Sequence, residues 1–141
     1  MKLFISWAAA AILLAASGPL HAQTSISGGS AGSAAVGGTS ASTVGTGGTS
    51  TSPTGTGSSI AAGGSAATVE GKAQSRTNVN KGHGPNLNAN TRAQAHDGGT
   101  FSRSHTRTKV RAGEEVQSTT RTMSHEPGSA PIKSTTTSTA R

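Results

Sequence analysis

Five side chains that carry or can acquire positive charge stand at alternate positions of one short stretch: Arg103, His105, Arg107, Lys109 and Arg111. In an extended chain successive side chains point to opposite sides, so these five would share one face. Ser104, Thr106, Thr108 and Val110 would share the other. A line of cations displaces the counterions of an anionic polymer, and the resulting affinity falls steeply with salt. The stretch therefore predicts contact with polyanions: nucleic acid, acidic polysaccharide, lipopolysaccharide phosphates or an anionic membrane surface. The contact would be non-specific, because Phe101 is the only aromatic residue after Trp7 and single-strand recognition needs stacking platforms. His105 adds a pH handle. An unperturbed imidazole titrates near 6.5, so binding would tighten as pH falls from about 7.5 to about 5.5.

Other chemistries lack their residues. His83, His96, His105 and His125 are too widely spaced to share one face of a helix, there is no Cys, and no paired carboxylate completes a metal set. Asp97 follows His96 directly, which makes a chain neighbour and not a catalytic pair, since a nucleophile, its base and an orienting group must be held in fixed geometry. Gly45-Thr46-Gly47-Gly48-Thr49-Ser50 starts like a dinucleotide-binding turn, but Ser50 stands where the last glycine is required. The Gly71-Lys72 pair is followed by Ala73, so no phosphate-cradling P-loop is present. No enzyme activity, cofactor, metal or small-molecule substrate is expected.

The elements that would position the basic stretch are weakly signalled. From Gln23 to Val69 there is no charged residue, and 40 of those 47 positions are Gly, Ser, Thr or Ala. From Glu70 to Arg141 there are eleven Lys or Arg and five Asp or Glu. Composition alone thus divides the chain into an uncharged low-complexity segment, 23–69, and a basic polar segment, 70–141. The first carries loose repeats, with Gly28-Gly29-Ser30-Ala31 recurring as Gly63-Gly64-Ser65-Ala66 and Gly37-Gly38-Thr39-Ser40 as Gly47-Gly48-Thr49-Ser50. Repeats of this length can build a β-solenoid, but each coil would bury a single Val or Ile. A flexible Gly/Ser-type linker is the expectation. The Asn-rich run Asn78–Asn90, with its Gly and Pro, predicts turns.

After residue 22 the large apolar residues number twelve and never cluster. Burying them returns far less free energy than ordering the backbone costs, and disulfides cannot make up the difference. The fold expectation is a largely intrinsically disordered chain. At most a transient β-hairpin would form near 100–123, turning at Ala112-Gly113 with Glu114 facing Arg111, because two strands alone are marginal in water.

Residues 1–22 resemble a cleavable secretory signal: Lys2, an apolar run from Leu3 to Ala16, the breaker Gly18-Pro19, and a small residue at the cut between Ala22 and Gln23. The run is shorter than the roughly 20 apolar residues of a membrane span, so no transmembrane segment is expected in the mature chain. The resulting expectation is a secreted or periplasmic, monomeric, non-enzymatic surface, matrix or envelope protein. Its basic segment would contact anionic polymers or an anionic membrane surface. The alternative is a protective or solvating hydrophilic chain with no specific partner.

Overall fold

A computed structural model describes residues 24–141; the expected signal segment 1–22 and the expected cut at Ala22/Gln23 lie outside the described residues. The described chain consists of eight strands: β1 Thr24–Val36, β2 Thr39–Ser52, β3 Gly55–Thr68, β4 Lys72–Lys81, β5 Leu87–Asp97, β6 Thr100–Arg111, β7 Glu115–His125 and β8 Ile132–Ala140. They form two antiparallel meanders, β1-β2-β3 and β4-β5-β6-β7-β8. The expected disorder is overturned, and so is the flexible linker: 24–68 is a three-stranded sheet paired without interruption. The hairpin near 100–123 is not transient either. Its strands β6 and β7 are inner members of the five-stranded sheet, with partners on both sides. The change in charge at Val69/Glu70 coincides with the passage from one sheet to the other.

The two sheets stack face to face, with β1 over β7, β2 over β6 and β3 over β5. The wider sheet therefore projects one strand beyond the narrower on each side. Those two strands, β4 and β8, are exposed along all or most of their length.

Glycine pairs make two of the turns. Gly37-Gly38 (φ +50° and +77°) joins β1 to β2, and Gly98-Gly99 (φ +54° and +90°) joins β5 to β6. A two-residue turn with both φ values positive matches the twist of its flanking strands, and glycine adopts it without steric cost. Between β6 and β7 the turn takes three residues, Ala112–Glu114, closed by the Glu114 amide donating to the Arg111 carbonyl at 3.1 Å. Arg111 therefore pairs with Glu115, one residue beyond the expected Glu114. In the Asn-rich run only the middle turns, at 82–86, where the Gly82 amide donates to the Asn86 carbonyl at 2.8 Å. Its two arms belong to β4 and β5.

The interior explains why counting large apolar residues misjudged the chain. Among the described residues thirteen buried side chains are Ser or Thr and eight are apolar, five of the latter alanine. One small cluster, Ile26, Val110 and Val116 flanked by Ile60, Leu87 and Ala140, packs near the β6–β7 turn. Elsewhere hydroxyls bridge the sheets. Thr43 bonds to Ser104 and Thr106 (both 2.6 Å), and Thr106 to Thr120 (2.6 Å). From Thr120 the chain runs to Ser30 (2.8 Å), on to Ser118 (2.7 Å) and to Thr108 (2.8 Å). Ser104 and Ser118 also donate to the carbonyls of Gly32 (3.0 Å) and Gly45 (3.2 Å) in the facing sheet. Buried hydroxyls are costly when unpaired and mildly stabilising when bonded, and a connected chain of them is mutually polarising.

Such short bridges need sheets that approach closely, and glycine permits this. A Cβ on Gly47 would lie 2.5 Å from Val110 Cγ2, and one on Gly45 would collide with Thr108 Oγ1. Of the recurring glycines, Gly28, Gly47 and Gly64 thus fit against the second sheet, and the repeats lie on paired antiparallel strands, not on solenoid coils. Among the described residues no helix is long and apolar enough to cross a membrane.

Candidate functional site

Because β6 buries every second residue, its other face is outward. Thr100, Ser102, Ser104, Thr106, Thr108 and Val110 are buried, while Arg103, Arg107 and Arg111 are exposed and His105 and Lys109 half-buried. The five basic residues singled out in the sequence therefore do share one face, at the centre of the wide sheet. Strand pairing then adds residues that are distant in sequence. Across the sheet, Arg76 stands opposite Arg92, Arg92 opposite His105, and His105 opposite Arg121. The next rows read Gln74, Gln94, Arg103, Met123, Lys133 on one side and Asn78, Asn90, Arg107, Thr119, Thr137 on the other. Beyond the latter come Asn80, Asn88, Lys109, Gln117 and Thr139.

No carboxylate stands in any of these four rows. The acidic residues sit at the ends of the strands or between them, and Asp97 and Glu115 have local partners. Asp97 accepts from the Thr68 hydroxyl and the Glu70 amide, both at 3.2 Å, and so fastens the crossing from β3 to β4. Glu115 takes both ion pairs found among the described residues, with Arg111 at 3.0 Å and Arg141 at 3.6 Å. Like charges directly opposite each other weaken a sheet by roughly 0.2–1 kcal/mol per pair, so the row Arg76–Arg92–His105–Arg121 is an arrangement that folding alone disfavours.

The field of that row is felt by its imidazole. His105 is held below its usual pKa, chiefly by burial and then by the guanidinium groups of Arg92, Arg107 and Arg121. Its Nε2–H donates to Asn90 Oδ1 at 2.8 Å, the tautomer following from the acceptor-only oxygen. The expected tightening of binding on acidification is therefore displaced below the ordinary imidazole range.

The face is shallowly concave. A groove of about 240 Å³ lies between β6 and β7, lined by His105, Arg107, Lys109, Gln117, Thr119 and Arg121. A larger depression of about 760 Å³ adjoins the β5–β6 turn, walled by Lys72, Gln74, Gln94, His96, Phe101 and Arg103 with Glu70 and Asp97 at its rim. Phe101 is already engaged there, with the His125 ring 5.3 Å away and the Arg103 guanidinium 5.9 Å from its centroid.

His96 and His125 flank Phe101 in one row, whereas His83 lies in the β4–β5 loop and His105 four residues further along β6 than that row. Among the described residues no three His, Cys, Asp or Glu side chains converge as a metal site would require. Sequence reasoning missed Arg76, Arg92 and Arg121 and the amides of β4 and β5. A signal for them existed in β5, where Asn88, Asn90, Arg92, Gln94 and His96 alternate with Ala89, Thr91, Ala93 and Ala95.

No family model matches this sequence, and no curated protein or solved structure matches it either.

Proposed function

We propose that this protein is an exported, monomeric, non-enzymatic surface, matrix or envelope component whose wide sheet presents a polyanion-binding face. The observation that carries the reading is the gathering of Arg76, Arg92 and Arg121 about His105 on neighbouring strands, within four rows of the face that hold no carboxylate. A sheet tolerates that repulsion at a cost, and an anionic partner relieves it. A purely solvating chain would gain nothing by concentrating its cations on one side, since interspersed charge of both signs serves solubility as well.

The mode of binding is electrostatic and extended. Side chains on the same face of a strand are spaced by about 6.8 Å, so Arg103 through Arg111 offer a rail about 27 Å long to a linear polymer. Each anionic group neutralised releases counterions, with a slope of log affinity against log salt of about −0.9 per phosphate on duplex DNA and about −0.7 on a single strand. The test is that slope, measured for the full mature chain and for Arg103→Gln/Arg107→Gln/Lys109→Gln/Arg111→Gln. A steep negative slope that flattens in the variant is the expected result. Equal affinity of both proteins at low salt overturns the reading.

A further inference from the structure

Resting on the polyanion-binding face, we infer that its ligand is an acidic polysaccharide lying along β6. The argument comes from what stands beside each cation. Lys109 has Asn88 opposite it on β5 and Gln117 on β7; Arg103 has Gln94 on β5. The cation column is thus bordered by the amides of Asn88, Asn90 and Gln94 along β5 and by that of Gln117 at one place on β7, where Thr119, Arg121 and Met123 make up the rest.

A carboxamide offers two N–H donors and a carbonyl acceptor. Phosphate oxygens only accept, so a polyphosphate leaves the amide carbonyls of Asn88, Gln94 and Gln117 without use. Sugar hydroxyls donate as well as accept and satisfy both ends of the amide. A polymer with an anionic group on each unit and hydroxyls around it matches cations down the middle and amides at the sides. Nucleic acid fits less well. Stacking of unpaired bases needs aromatic platforms, and Phe101, the sole aromatic among the described residues, is occupied by Arg103 and His125. The wide sheet is also shallowly concave, whereas duplex grooves are read by an inserted helix or ribbon. Carboxylates of a uronate chain would pair with Arg103, Arg107 and Lys109, and its hydroxyls with Asn88, Gln94 and Gln117.

The experiment compares polygalacturonate, inorganic polyphosphate and duplex DNA at equal anionic-group concentration and near-physiological salt, by calorimetric titration of the mature chain. Wild type should bind polygalacturonate most tightly. Asn88→Leu/Gln94→Met/Gln117→Met keeps the side-chain shapes and removes the amides. It should lose about tenfold or more in affinity for polygalacturonate, as three hydrogen bonds imply, while polyphosphate binding stays within about twofold. If that variant melts early, the alanine version of the same three positions takes its place. Tighter binding of polyphosphate or DNA by wild type, or an amide variant that weakens every polymer alike or none, overturns the polysaccharide assignment and leaves the polyanion reading standing. Absence of binding to all three overturns both.

Discussion

The two sheets meet through the same chemistry and turn opposite chemistries outward. On the inside each contributes Ser, Thr, Ala and Gly, and hydroxyls such as Thr43 and Thr106 bond directly across the gap. On the outside the narrow sheet shows Ser, Gly, Ala and a half-exposed Val44 without one charge, whereas the wide sheet shows four rows containing cations and no carboxylate. The difference separates two demands on the sequence. Inner faces answer to packing, which treats both sheets alike. Outer faces are free of that demand, so the asymmetry between them belongs to what the molecule meets.

The sharpest way to break this comparison is to place one substitution on each side of the narrow sheet. Gly45→Val drives a side chain into Thr106 and Thr108 of the opposing sheet and should cost roughly 3 kcal/mol. Gly63→Val, where a Cβ meets nothing within 4 Å, should stay within about 0.5 kcal/mol of wild type. Urea unfolding followed by circular dichroism compares them. Equal losses would mean that the stacked sheets are not the folded unit.

A smaller contrast uses hydroxyls alone. Thr43→Val keeps the shape but removes two buried hydrogen bonds, leaving Ser104 its bond to the Gly32 carbonyl and Thr106 its bond to Thr120, a loss of about 1–3 kcal/mol for the two. Ser42→Ala, one residue earlier and facing out, removes an exposed bond to Ser65 of 2.8 Å and should change stability by less than about 0.5 kcal/mol. On the wide sheet the sign reverses. Arg92→Gln/Arg121→Gln removes like charges on either side of His105 and should stabilise the fold by up to about 1 kcal/mol while weakening polyanion binding. A destabilised double variant would show that the cations hold the sheet together.

The smallest effect is the pH dependence contributed by His105. Its folded pKa lies below the ordinary value, so the unfolded chain takes up the proton first on acidification. Stability then rises with pH where the unfolded state binds more protons. The contribution from His105 is complete above pH about 6.5 and is lost as pH falls toward the lowered folded value. In His105→Gln the part of the slope below pH about 6.5 that arises here should vanish. NMR titration of the His105 ring in Arg92→Gln/Arg121→Gln should show the pKa moving back upward. No movement would assign the depression to burial and to Arg107, which the variant retains.

Residues 100–111 were legible because their two faces differ in kind, cation against hydroxyl, and a two-residue period stands out. Residues 24–68 have the same period without the contrast. Thr39, Ala41 and Thr43 face in while Ser40, Ser42 and Val44 face out, and hydropathy cannot tell one set from the other. Gly37-Gly38 is a hairpin signal, yet among twenty glycines it reads as composition. The interior was hidden for a related reason. Scales that credit only large apolar side chains assign little to Thr108 or Ser118, whose burial is stabilised by the partner each finds in the other. The neighbours of His105 were illegible on different grounds: Arg92 and Arg121 reach it through strand register, which no local stretch of sequence records.

The overhang of β4 and β8 has a consequence for how copies of this molecule treat each other. β1 and β3 are long, uncharged and free of proline, and their outer rows of amides and carbonyls are templates on which another sheet can grow. Unprotected, they would make the protein a seed for its own polymerisation. For a second sandwich to join its narrow sheet to this one in the same orientation, however, the projecting strands of both wide sheets would have to enter the same space. Those strands also carry Lys72, Arg76 and Lys81 on one flank and Lys133 on the other, which repel an approaching twin. The wide sheet thus acts as a bumper for the narrow one, placing bulk and positive charge where another copy would have to approach.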